Sequence, residues 1–139
     1  MIGKRIFFAL LIGLLLLTAG CVQQEEAPQE NNGVQGSSTV VLTVKYLDAE
    51  GNTIAEKAIS TPKGVNAWIL MKDNMDVDFE EFSFGPMVKG IEGTPSPEGH
   101  YLALYVNGEY ATQGVNGYFI QEDTLMEWKT EAIDSFGLE

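Results

Sequence analysis

Cys21 and His100 are the only cysteine and the only histidine in this chain of 139 residues, and neither has a companion at a spacing that chemistry could use. A zinc site needs three or four nitrogen or sulfur ligands, and His100 has no second ligand of that type near it. Its neighbours, Gly99 and Tyr101, make it an exposed residue at the start of a strand. The nucleophile elbow Gly-x-Ser-x-Gly, the metalloprotease pair His-Glu-x-x-His and a glycine-rich phosphate loop are all missing from the sequence. The densest acidic run, Asp73, Asp76, Asp78, Glu80 and Glu81, suggests calcium by composition. A calcium loop counted from Asp76 nevertheless meets Glu81 where glycine is required and Met87 where the bidentate acid belongs. The run reads as a solvated face. The residues therefore point away from catalysis and from a resident metal.

Cys21 has a different use. Lys4 and Arg5 form a positive start, Ile6 to Leu17 form an apolar stretch too short to span a bilayer as a stable helix, and small residues precede the cysteine. This pattern predicts a signal peptide over residues 1–20. The ending Thr18-Ala19-Gly20-Cys21 resembles the lipobox of prokaryotic lipoproteins, which implies a diacylglyceryl group on the Cys21 sulfur and a membrane as partner. Threonine at the third place before the cysteine resembles the form found in archaeal secreted proteins. The alternative is an ordinary signal peptide with a chance cysteine. Two acyl chains, at about 0.8 kcal/mol per buried methylene, would hold the protein on a membrane facing the exterior.

Loss of Lys4 and Arg5 with the signal leaves six lysines against twenty acids, a charge of −14. That balance argues against nucleic acid and against anionic headgroups as binding surfaces. Residues 21–38 are rich in Gln, Glu, Asn, Gly and Ser and cannot bury enough apolar surface to fold. As a flexible tether they would reach about 20–25 Å. Residues 39–139 are expected to form one domain. With Cys21 committed to lipid, that domain has no disulfide and depends on its core.

The core must come from alternating strands. Val40, Leu42, Val44 and Tyr46 alternate with their neighbours, Asp48 to Asn52 form a turn, and Thr53 to Ser60 pair back as a hairpin. Val65 to Lys72 place Val65, Trp68 and Ile69 at helical spacing, which predicts one short amphipathic helix. Trp68 and Ile69 are expected to pack onto a sheet whose inner face includes Leu104 and Val106, or Tyr105 if the register shifts by one. Val77 and Phe79 fall out of phase with Phe82 and Phe84, which predicts a bulge or a kinked strand at Glu80-Glu81. Gly85-Pro86 reads as a turn before a strand at 87–91. Tyr101 to Val106 alternate strictly and end at Asn107-Gly108, the strongest short hairpin signal. Short strands at 118–120 and 125–128 close the chain.

A hairpin, one helix and a series of strands make an α+β domain in the order of a β-grasp fold, with a mixed sheet packed on a single short helix. Three runs sharpen this: EFSFGPMVKGIEG at 81–93, YLALYVNGE at 101–109 and QGVNGY at 113–118. Together they resemble the C-terminal domain of transcobalamin and intrinsic factor, over residues 64–129. In those proteins the domain lies over one face of cobalamin, and a larger helical barrel, which has no counterpart here, supplies most of the pocket. Stand-alone versions are known from bacterial and archaeal surface proteins, without an assigned activity. The resemblance implies a ligand surface made of Phe84, Gly85, Pro86, Met87, Tyr101, Gln113, Gly114, Val115, Asn116 and Tyr118. Leu102 departs from the family, which commonly has tryptophan there, and Gln121-Glu122-Asp123 replaces a glycine-containing turn. Two functions follow as expectations, with the cofactor unknown. One is a tethered binding module for a small amphipathic ligand such as a corrinoid. The other is a module for contact or adhesion with another surface protein, through a sheet edge or loop face.

Overall fold

The computed structural model describes residues 38–136. Cys21, the predicted signal peptide and residues 21–37 of the predicted tether lie outside the described residues.

The alternating run at Thr39–Leu47 forms strand β1, in which Leu42 and Val44 are fully buried and Tyr46 nearly so. Asp48 then organises the turn: its Oδ1 accepts the main-chain N–H of Glu50 at 3.1 Å and of Asn52 at 2.7 Å. Strand β2 (Thr53–Pro62) returns antiparallel, with Leu42 opposite Ile59. A two-residue strand β3 (Val65–Asn66) leads into helix α1 (Ala67–Asn74). Next come β4 (Val77–Phe82), β5 (Gly85–Ile91) and β6 (Thr94–Pro95). Strand β7 (His100–Val106) turns at Asn107-Gly108 into β8 (Glu109–Tyr110). A 3-10 turn at Val115–Gly117, strand β9 (Phe119–Ile120), strand β10 (Thr124–Ala132) and a 3-10 turn at Ile133–Phe136 complete the order.

Five strands form one mixed sheet in the order β2-β1-β10-β7-β8. β10 runs parallel to β1, with Val44 opposite Met126 and Tyr46 opposite Trp128, and antiparallel to β7, with Trp128 opposite Leu104. Two smaller ladders, β4-β5-β6 and β3-β9, accompany it. The class is α+β, with a mixed sheet and one short α-helix among the described residues. No helix among the described residues is long and apolar enough to cross a membrane.

The helix differs from its expected form. Val65 pairs with Ile120 in the β3-β9 ladder, which takes it out of the helix. Asn66 caps the N-terminus instead, its Oδ1 accepting from the N–H of Trp68 at 3.0 Å and of Ile69 at 3.4 Å. Burial falls on Ala67, Trp68, Leu70 and Met71, and Ile69 is 50 % exposed. Residues 67, 68 and 71 share one side of a 3.6-residue turn, so Ile69 faces away and the expectation that it packs inward is corrected.

Two more corrections concern the arm at β4 and β5. The register shift lies between Asp78 and Phe79, just before the expected Glu80-Glu81. The turn is Ser83-Phe84, while Gly85 and Pro86 already pair with Phe82 and Glu81 as the start of β5. The Asn107-Gly108 hairpin forms as the dipeptide predicts, both residues at positive φ (51° and 86°). On β7, Leu102 and Leu104 are buried and Val106 packs partly against the core, so the inner face follows the unshifted register.

Candidate ligand-binding groove

The β5 arm, the open side of β7 and the loop after β8 enclose a cavity of about 730 Å³. Phe84, Pro86, Met87 and Val88 come from the arm. Tyr101, Leu102, Ala103 and Leu104 come from β7. Tyr110, Ala111, Gln113, Gly114 and Val115 come from the β8 end and its loop, and Trp128 and Ile133 from β10 and the turn after it. The lining is mainly aromatic and aliphatic, as small-molecule sites usually are, and the volume lies within their usual range.

Seven of the ten expected site residues meet here: Phe84, Pro86, Met87, Tyr101, Gln113, Gly114 and Val115. They divide into two kinds. Phe84 (70 % exposed) and Met87 (41 %) present free apolar surface at the mouth, and the Phe84 ring stacks on Phe82 at 5.2 Å. Val115 is 1 % exposed and belongs to the core as much as to the wall. Its substitution would therefore disturb the core packing as well as the cavity wall.

The other three expected residues stand behind the wall and shape it. Asn116 packs so closely on two glycines that a β-carbon at Gly85 would lie 2.8 Å from its amide and one at Gly114 would lie 2.7 Å from its Oδ1. Gly85 also sits at φ 120°, where a side chain would be strained. The loop is tied to the helix start, because Asn66 Nδ2 donates to the Asn116 main-chain oxygen at 2.9 Å. Tyr118 packs partly into the core and its carbonyl accepts the Ala67 N–H at 2.9 Å. Gln113 closes the loop on itself, Nε2 donating to the Gly117 oxygen at 3.1 Å.

Val88, Leu102, Ala103, Leu104, Tyr110, Ala111, Trp128 and Ile133 were not expected in the lining. In sequence Leu104 reads as an inward residue with Leu102 on the same face of its strand, and Trp128 only as the end of the closing strand. They line a cavity because β8 is only two residues long and, past the Ala111 N–H bond to the Leu104 carbonyl, leaves the edge of β7 open. The length of the loop between Tyr110 and Phe119 was the one available hint.

Polar groups are few and mostly engaged. Tyr101 and Tyr105 both donate to Glu131, at 2.8 Å to Oε2 and 2.7 Å to Oε1. That carboxylate, with partial burial, raises the Tyr105 phenol above its ordinary value of 10.0. Lys129 Nζ stands 4.1 Å from the Tyr105 ring centroid, and the Tyr110 ring meets Tyr105 edge-on at 5.3 Å. Trp128 Nε1 is buried without a hydrogen-bond partner among the described residues. No group of three or more His, Cys, Asp or Glu among the described residues is placed to hold a metal ion. Asp76 and Asp78, from the acidic run, line a separate hollow of about 220 Å³, and Glu80 pairs with Lys89 at 3.1 Å. The arrangement is suited to holding an amphipathic molecule against an apolar wall.

Comparison with known proteins bears on the fold. None of the curated proteins matches the sequence. Among solved structures, a Ruminococcus gnavus protein provisionally described as metal-binding aligns with a TM-score of 0.57 at 13% identity, covering 67% of this chain and 97% of its own. Haptocorrin in complex with Cbi (cobinamide) aligns with a TM-score of 0.57 at 19% identity, covering 69% of this chain. This chain spans only 26% of haptocorrin, so the likeness concerns one part of that protein. At these identities the shared property is the fold, which is transcobalamin-like. In sequence, residues 64–132, which carry all of the groove lining but Ile133, match the family DUF4430, a domain of unknown function.

Proposed function

We propose that this chain is an extracytoplasmic lipoprotein, anchored through Cys21 and a flexible tether over residues 21–38, whose domain at 39–139 binds a small amphipathic ligand. The strand order, with β1 and β10 parallel at the centre and a hairpin on either side, supports the β-grasp reading. The observation that carries the ligand reading is the aromatic-lined cavity of about 730 Å³ between the β5 arm and the β7 edge. A corrinoid is the ligand to test first, because haptocorrin in its Cbi complex shares this fold. Phe84 and Met87 would cover an apolar face, and the Gln113-Gly114 backbone would approach a polar rim.

One domain encloses less of a flat ligand than two facing domains would. Affinity depends on convergent burial, so binding at about micromolar Kd or weaker is expected, roughly −8 kcal/mol at best. The test is titration of the full-length chain with dicyanocobinamide and with cobalamin, followed by visible absorption. Phe84→Ser with Met87→Asp should remove binding while the circular dichroism spectrum stays unchanged, since both side chains are exposed. No binding of either corrinoid at ~1 mM, roughly −4 kcal/mol, would overturn the corrinoid assignment.

A further inference from the structure

The cavity touches four consecutive residues of β7, Tyr101 to Leu104. Successive side chains of a strand point to opposite faces, so a hollow that meets all four meets the strand at its edge, where main-chain groups are presented. Which groups face outward follows from the ladder. Gly99 accepts from Ile133 N–H at 3.0 Å and Asn107 donates to the Leu125 carbonyl at 2.8 Å. With the β7–β10 register, these bonds turn the main-chain groups of Tyr101, Ala103 and Tyr105 toward β10. Those of His100, Leu102, Leu104 and Val106 point the other way. Val106 is covered by Glu109 in β8, and the Leu104 carbonyl accepts from Ala111 N–H at 2.9 Å. Beyond Ala111 the chain leaves the sheet, and neither the N–H nor the C=O of Leu102, nor the C=O of His100, has a partner among the described residues.

We propose that this edge of β7 accepts an extended peptide segment of another protein as an added strand, in line with β8 and starting where Ala111 departs. The inference goes beyond the small-ligand reading and does not depend on it, although the two occupants would compete for one groove. The hydrogen-bonding pattern is what selects an extended main chain. A residue opposite Leu102 both donates to it and accepts from it, and the residue two places on donates to the His100 carbonyl. The walls fit the alternation of such a segment, with Leu102 on one face of the edge and Tyr101 and Tyr110 on the other, and Met87 and Val88 of the arm also in the lining. Lysine, proline and a bulge, the usual guards of an exposed edge, are missing from His100–Val106. The chain's net charge of −12 favours a segment that is apolar at alternate positions and flanked by basic rather than acidic residues.

The experiment uses the 15N-labelled full-length chain and the blocked heptapeptide acetyl-KVTVTVK-amide, read by amide hydrogen exchange and chemical-shift titration. In the free protein Leu102 N–H should exchange quickly and Ala103 N–H, bonded to β10, slowly. With peptide, Leu102 should slow by about tenfold or more while Ala103 is unchanged. Peptides N-methylated at one alternate set of residues should bind about tenfold more weakly, and those methylated at the intervening set should bind as the parent does. Equal effects of the two sets, or an unprotected Leu102 at ~1 mM peptide, would overturn the proposal. So would protection already present in the free protein: if independent of concentration, the chain covers its own edge, and if dependent on it, a second copy does. Dicyanocobinamide titration in parallel separates the two readings, because corrinoid binding without Leu102 protection by peptide removes only this one, and the converse removes only the other.

Discussion

Asn66, the N-cap of α1, donates from Nδ2 to the main-chain oxygen of Asn116 at 2.9 Å, so the helix start and the groove loop are held by one side chain. Its Oδ1 meanwhile accepts from Trp68 and Ile69. Asn66→Asp should keep the cap and lose the loop contact. Asn66→Ala should lose both, with a cap cost of about 1 kcal/mol. Urea unfolding would rank the parent, Asp and Ala forms in that order of stability, and equal midpoints for all three would refute the dual role.

Gly85 should resist substitution. Alanine there would place a β-carbon 2.8 Å from the Asn116 amide at a φ of 120°, and a residue forced into such backbone costs about 1–3 kcal/mol. Asn116→Gly in the Gly85→Ala background should recover the steric part and leave the backbone part. A double variant no more stable than the single one would show that the close approach carries no energy.

Trp68 and Ile69 are sequence neighbours with opposite expected costs. Trp68 is 7 % exposed and meets Phe79 edge-on at 4.8 Å, so Trp68→Ala should lose about 3–5 kcal/mol. Ile69→Ser, half exposed, should change stability by only about 0.5 kcal/mol. Thermal or denaturant midpoints in the reverse order would mean that the helix is rotated.

Stability should fall at high pH through Tyr105. Its phenol is raised in the folded state by the Glu131 hydrogen bond and by partial burial, so the contribution is fully present below about pH 10 and is lost as pH rises through the folded value. Tyr105→Phe should show a shallower loss above pH 10 than the parent, followed by urea unfolding across that range. Identical slopes would show that the Glu131 contact does not couple to folding.

Replacement of Cys21 by serine tests the proposed anchor. The variant should either remain an uncleaved precursor or appear in the medium, and mass spectrometry of the parent should find a lipid on an N-terminal cysteine. A mature, unmodified peptide beginning elsewhere would refute lipidation.

Local pattern settled much of this domain. The alternation of Val40, Leu42, Val44 and Tyr46 makes a strand whose buried face is legible without a structure, because the period of two is a property of the backbone. Asn107-Gly108 makes its hairpin because those two residue types tolerate positive φ. The three motifs at 81–93, 101–109 and 113–118 fall on the β5 arm, β7 and the loop that together surround the cavity. Tertiary structure decided the rest. No periodicity announces that β10 will lie parallel to β1 across most of the chain, yet that placement sets Trp128 opposite Leu104 and into the wall. Nor does local sequence show that Val65 will pair with Ile120, which shortens the helix and turns Ile69 to solvent. Pairing partners are chosen by the burial the whole chain can achieve, and the open edge at Leu102 exists only because the chain after Ala111 packs elsewhere than beside it.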